Sequence, residues 1–510
     1  MDISRITPSV LTEDRLDASY YGTRYLKNEA FLKKCGLPLA PIGTLTDKCN
    51  CGATPKEVVY DGKGIGLVRT TDVRPNVFLA EGVLRTSGLR VSPEASVAAV
   101  PGDLLYTMSG TIGYAAVVHD GVDVVSFSNT IARARFSSKS GQDPRFTAAF
   151  FNCAYGYTQS LRLVSGGIQG HVMPNPFKRL PVPTPHFDAQ RYIGDKVRLA
   201  ERLRERARSL DALTFATFDA LTQNLPHPQR AFRVPSAEVE AYRLNPNHFD
   251  PVVRAAIRAA KGCTRLHMLS DLIADGDIAG GATPLGAQYV ADGIFFARVQ
   301  NVKPLRLDRT DAAFITTDQD GQIARSRCRA DDVVLSITGY PGTASVVLDE
   351  DLPLNINQHS VRFAVRSDFG AGYVAAAINS RFGQLQVGRL AVGGTRDALD
   401  YTSVRSLLVP ELEGEVRARV NVQVKRANLC VRAAQRLTAA ATTLVENLIE
   451  GKVNEADLVA AQKALESGDR GLDRAILQAL RQNGNPAQPL VADLDGLYAL
   501  LDELDQETNA

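Results

Sequence analysis

The feature that most constrains what this chain can fold into is an internal duplication. VRTTDVRP (68–75) is answered by ARVQNVKP (297–304), and PGDLLYTMSGTIGYAAVV (101–118) by ADDVVLSITGYPGTASVV (330–347), each displaced by 297 − 68 = 229 residues. RLDASYY (15–21) meets RLNPNHF (243–249) at 228. APIGTLTD (40–47), SGGIQGHVM (165–173) and FKRLPVP (177–183) meet HMLSDLIA (267–274), VGGTRDALD (392–400) and VRSLLVP (404–410), all at 227. Blocks in one order with so small a drift mark a tandem repeat. Its period is too long for a solenoid, so each copy must bury a core of its own.

A long amphipathic stretch follows each copy. In 190–221 the apolar residues Ile193, Val197, Ala200, Leu203, Ala207, Leu210, Leu213 and Phe218 recur mostly at steps of three and four. In 416–448 the same spacing joins Val416, Val420, Val424, Ala427, Val431, Ala434, Ala441, Leu444 and Leu448. This is the stripe of a helix with a near-heptad seam, and thirty-odd residues make a rod of roughly 50 Å. Each stripe predicts the other helix as its partner. Within a copy, DLLYTM, YAAVV and VVSF read as short strands between glycine turns. FTAAFFNCAYGYTQSLRLV (146–164) reads as one helix, echoed by GYVAAAINSRFGQLQVG (372–388). Strands and helices do not alternate as a doubly wound sheet would require. The predicted class is α+β, with two tandem mixed α/β domains, each followed by a long helix. The expected boundaries are a first domain over 1–186 (1–11 a short leader), a helix over 187–225 and a second domain over 226–410. A second helix over 411–453 and a helical extension over 454–510 complete the chain. Pro226, Pro228 and Pro235 are expected to end the first helix.

Composition narrows the function classes. Hydrophobic residues make up 45% and charged residues 22%, as in a globular protein. No run of eighteen apolar residues and no signal pattern is present, so neither a membrane span nor export is expected. Seven cysteines without a CxxC pair fit the cytoplasm. Cys49-Asn50-Cys51 lacks a second ligand pair, and no metal is expected there. A net charge of +2 does not advertise nucleic-acid binding, but six acidic residues in 490–510 leave the rest of the chain more basic.

No P-loop, dinucleotide fingerprint, HExxH or GxSxG is present. Asn245-Pro246-Asn247-His248 only partly resembles a methyltransferase loop and reads as a turn. Asp103 and Asp332 recur at matching positions; with no second carboxylate or lysine recurring beside them, they read as turn caps rather than metal ligands. What remains are polar loops. Ser109-Gly110-Thr111 and Thr338-Gly339-Tyr340 form one matching pair, Ser165-Gly166-Gly167-Ile168-Gln169 and Gly393-Gly394-Thr395-Arg396 another. Glycine lets backbone approach a phosphate or base edge there. Arg69, Arg74, Arg298 and Lys303 sit beside turns and suit phosphate or guanine; Gln169, Gln300 and Gln358 suit adenine. Thr71, Asn129 and His171 complete the DNA-binding candidates. The scaffold positions agree between copies while Thr71 faces Gln300, Thr111 faces Tyr340 and Gln169 faces Arg396. One frame with two loop chemistries implies two related ligands.

GDLLYTMSGTIG, then SGGIQGHVMPNPFKRLPVPTP, then Gln190 and a long helix, twice over, resembles the specificity subunit of type I restriction–modification systems. The resemblance spans roughly 10–453; the second copy departs from it at Ala330-Asp331-Asp332 and Arg396. It implies two target-recognition domains reading the halves of a bipartite double-stranded DNA site, with the helices as an antiparallel coiled-coil spacer. It implies no catalysis and no cofactor in this chain. The partners it implies are two methyltransferase subunits carrying S-adenosylmethionine and, in a full anti-phage system, an ATP-driven restriction–translocase subunit. A subunit guiding methylation without restriction, a protein-binding scaffold and a nuclease are the alternatives.

Overall fold

The computed structural model describes residues 8, 11, 15–55, 57–166, 170–227, 231–239, 246–274, 278–286, 288–393, 397–481 and 488–508. Two compact units form, one from 1–205 with 431–510, the other from 206–430. The C-terminal extension therefore belongs with the first copy.

In the first unit an antiparallel sheet runs in the order Thr46–Cys51, Ile131–Phe136, Leu104–Thr107, Ala115–Val117. A second sheet runs Leu84–Thr86, Ile65–Val68, Val125–Phe127, Ala98–Ala99, with its central pair parallel. In the second unit Asp332–Ser336 lies between Ser360–Ala364 and Ala344–Val346, and Ile294–Ala297 runs parallel to Leu354–Ile356. The strands are short, and Leu104–Thr107, Ala115–Val117, Val125–Phe127, Asp332–Ser336 and Ala344–Val346 are buried throughout, whereas Thr46–Cys51 is only half-buried.

Where one helix was expected in each copy there are two. Pro144–Asn152 is followed by Ala154–Arg162, and Ala371–Asn379 by Arg381–Leu390, with breaks at Cys153 and Ser380. Asn152 Nδ2 donates to the carbonyls of Ala115 and Ala148, while its Oδ1 accepts the Ala115 N–H. Asn379 repeats every one of these bonds with Ala344 and Ala375. The second helix then folds back so tightly that a Cβ on Gly156 would stand 2.0 Å from the Phe150 carbonyl oxygen, and one on Gly383 2.2 Å from that of Ile378.

The long helices are Phe187–Ala216 and Gly414–Ile449. The first stops short of 225; Phe218 turns back onto Phe215, and a 3-10 turn Asp219–Thr222 follows. Ile193, Val197, Ala200, Leu203, Ala207 and Leu210 are buried as expected, but Leu213 is exposed and Thr214 takes the seam position. The three-four spacing after Ala207 and Leu210 reaches Thr214, which puts Leu213 on the outer face. In the second unit Thr214 meets Gln423, and Arg306 bridges Asp211 and Asn428. Rising along one helix thus means descending the other, so the two segments are antiparallel there. Among the described residues no helix is long and apolar enough to cross a membrane.

Candidate nucleic-acid interface

Three backbone bonds gather the loops of the first copy at one edge. Ser128 N–H donates to Val68 O, Met108 N–H to Thr130 O and Val172 N–H to Met108 O. They set the segments starting at Arg69, Ser109, Asn129 and His171 side by side. Asn357 to Ala297, Ile337 to His359 and Leu399 to Ile337 are the matching bonds of the second copy. There they gather Arg298, Thr338, Gln358 and the loop that returns at Ala398. The duplication seen in sequence is thus a duplication of this edge.

The turns at its centre are built alike. Gly110 and Gly339 adopt φ of 71° and 83°, where a side chain would be strained. Thr107 Oγ1 accepts the Tyr114 N–H, and Ser336 Oγ accepts that of Thr343. Both hydroxyls donate back to the turn, to the Thr111 and Tyr340 carbonyls. Thr111 is exposed and Tyr340 is 80% exposed, so one rigid turn offers a hydroxyl in one copy and a phenol in the other. Ser109 bridges to His171, and Thr338 to Ala398. His171 is exposed; the Thr338 hydroxyl shares a hydrogen bond with His359 Nδ1. Gly167, Gln169, Thr395 and Arg396 lie outside the described residues.

The cations divide into two kinds. Arg69 pairs with the buried Asp72 at 3.1 Å and donates to the Gly82 carbonyl. Arg298 pairs with Asp311 at 2.9 Å, and Gln300 donates to the same carboxylate at 3.0 Å. Gln300 and Arg298 together hold the Asp311 carboxyl below its ordinary value. These three brace the loop ends. Arg74 and Lys303 are exposed, each in a β-hairpin strand, and no ion pair is seen for them among the described residues. Thr71 is exposed and leans on Asp72.

The recurring aspartates are structural. Asp103 accepts the Val100 N–H and both arms of Arg135, at 2.7 and 2.8 Å. Asp332 accepts the Arg329 N–H and faces Arg362; burial raises its carboxyl against those contacts. Burial likewise pushes up the Cys49 and Cys51 thiols. No three metal-ligating side chains cluster among the described residues.

One pair of residues, Thr54 and Thr283, escaped the sequence reading. Asn129 and Gln358 each take a hydrogen bond from a threonine, Thr54 and Thr283. A signal for them exists, since Gly-Ala-Thr-Pro stands at both 52–55 and 281–284, again 229 apart. It lies outside the longer repeat blocks and is short enough to be passed over.

No family model matches the sequence, and no curated protein matches it. Among solved structures the chain is similar to a type I restriction–modification system S subunit from M. genitalium, at 11% identity and TM-score 0.41, over 81% of this chain and 96% of that one. It is also similar to the HsdS subunit from Thermoanaerobacter tengcongensis, at 16% identity and TM-score 0.26, over 86% and 97%. A chain from a study of complex assembly and conformational transition of the type I R-M system matches at 16% identity and TM-score 0.27, over 86% and 98%.

Proposed function

We propose that this chain is the DNA-recognition subunit of a type I restriction–modification system, each copy reading one half of a bipartite site. The observation that carries the reading is the duplicated edge. The same backbone bonds, the same glycine turn and the same helix pair present Thr111, Asn129 and His171 in one copy and Tyr340, Gln358 and Ala398 in the other. A scaffold held constant under changed polar tips is what two different short base sequences demand. Phosphate contacts from cations such as Arg74 and Lys303 supply affinity, and the tips supply specificity.

Chemistry on this reading belongs to partners: two methyltransferase subunits bringing S-adenosylmethionine and, where cleavage occurs, an ATP-dependent restriction–translocase subunit, all in the cytoplasm. This chain needs no cofactor for its part. The test is to co-express it with a methyltransferase encoded beside it and map modified bases across the genome by long-read sequencing. The expected motif is two short half-sites around a fixed unspecified gap. Adding one heptad to both long helices is expected to alter that gap and leave the half-sites unchanged. An unbroken motif, or none, would defeat the reading and favour a protein-binding scaffold.

A further inference from the structure

We infer that Asn129 and Gln358 are the matched adenine readers of the two half-sites, held in reading orientation by Thr54 and Thr283. The inference rests on the DNA-recognition function proposed above and names residues and a base for it.

Thr54 Oγ1 accepts the backbone N–H of Asn129 at 3.3 Å and donates to Asn129 Oδ1 at 2.9 Å. A hydroxyl has one proton, so the side-chain oxygen is the group tied down. The Nδ2 group keeps both protons, with no partner among the described residues, and the oxygen keeps a second lone pair. Thr283 Oγ1 donates to Gln358 Oε1 in the same way. All four side chains are exposed. An exposed amide with no such tie turns freely in water and loses rotamer entropy when it binds. Here one threonine per copy is placed to remove that freedom.

The placement is built into the backbone. Gly52 N–H donates to Ile131 O and Ala53 N–H to Phe127 O, while Gly281 donates to Ser360 O and Ala282 to Ile356 O. Only glycine permits the approach, because a Cβ at Gly52 would stand 1.9 Å from Phe127 O and one at Gly281 2.1 Å from Asn357 O. Gly-Ala-Thr-Pro is therefore a bracket. Its glycine brings the segment against the strand end, and its threonine arrives beside the amide. An amide presenting one donor and one acceptor outward matches adenine N7 and N6–H in the major groove. The shorter Asn129 and longer Gln358 set that edge at different depths.

The experiment is motif mapping in cells that co-express the methyltransferase with the wild-type chain, T54V, T54S, T283V or T283S. T54V is expected to cost about 10-fold or more in discrimination at one A·T pair of one half-site. T283V should do the same in the other half-site only, and each serine variant, which keeps the hydroxyl, should retain the wild-type motif. An unchanged motif in the valine variants, relaxation at a G·C pair, or serine variants behaving as valine would overturn the inference while a split wild-type motif left the proposed function standing. A wild-type motif that is not split would remove both.

Discussion

The sharpest residue-level difference between the copies is an exchange of a helix cap between two elements. Asp143 accepts the N–H groups of Arg145 and Phe146 at the start of Pro144–Asn152, and Gly194 on the long helix leaves room for it. In the second copy Gly370 stands where Asp143 does, and Asn421 on the long helix caps the matching Tyr373 N–H at 2.9 Å. A Cβ on Gly194 would meet Asp143 Oδ1 at 2.6 Å, and one on Gly370, which has φ 78°, would meet Asn421 Nδ2 at 2.4 Å. Each glycine is the complement of the cap opposite it. N421A should cost about 1–2 kcal/mol in urea unfolding, as a lost cap does. In the first copy, G194N should destabilise by a similar amount, and G194N with D143G should recover most of it; an additive double variant would show that the two positions are not coupled. At the same scale, R74A and K303A are expected to weaken DNA binding evenly across sequences and to lower the log–log salt slope by about 1 each, because a phosphate contact carries no base information. Titrating binding against salt checks this.

At the scale of elements, the helix break shows how local packing reaches the interface. Asn152 fixes Ala115, the first residue of the strand that leaves the Ser109–Gly113 turn. N152D would remove two donors from buried carbonyls and add a repelling charge. A loss of about 2–3 kcal/mol is expected, with weakened recognition of one half-site and not the other. Half-site competition assays on N152D and N379D would show whether the effect follows the copy. The repeat, the strands and both long helices were legible in the sequence because periodicity and glycine turns act over many residues. The break was not. FTAAFFNCAYGYTQSLRLV stays amphipathic through Cys153, and the cause is a tertiary bond from Asn152 to a strand far away in sequence. The interface was half legible. Small polar loops marked the turns at Ser109 and Thr338, but Arg69, Arg298 and Gln300 spend themselves on Asp72 and Asp311, and residue type alone does not reveal such pairing.

For the molecule as a whole, the C-terminal extension is the part the duplication leaves unexplained, and within its buried apolar residues, Leu458, Leu477, Leu497 and Leu501 among them, sits a buried ion pair. Among the described residues, helices Glu455–Glu466, Gly471–Ala479 and Leu494–Thr508 carry one buried acid, Asp473. It accepts Tyr192 Oη at 2.7 Å, Tyr498 Oη at 2.6 Å and the buried Lys196 ammonium. Burial by itself would raise this carboxyl, but Lys196 and the three hydrogen bonds hold it below its ordinary value. Burial, reinforced by Asp473, pushes both tyrosine hydroxyls up. The unfolded chain therefore takes up a proton at Asp473 before the folded chain does, and stability is lost as pH falls from about 4 toward the lower folded value. The unfolded tyrosines release protons first on the alkaline side, so stability also falls as pH rises past about 10. Between these limits the extension should stay fixed to the first unit. D473A leaves Lys196 buried without its counter-charge and should cost about 3–5 kcal/mol. D473N should lose the acid-side dependence while keeping the shape. Melting curves of wild type and D473N between pH 3 and 8 decide the point: equal acid slopes would mean that carboxylates elsewhere hold the extension, and a flattened slope in D473N would place its acid sensitivity at this one side chain.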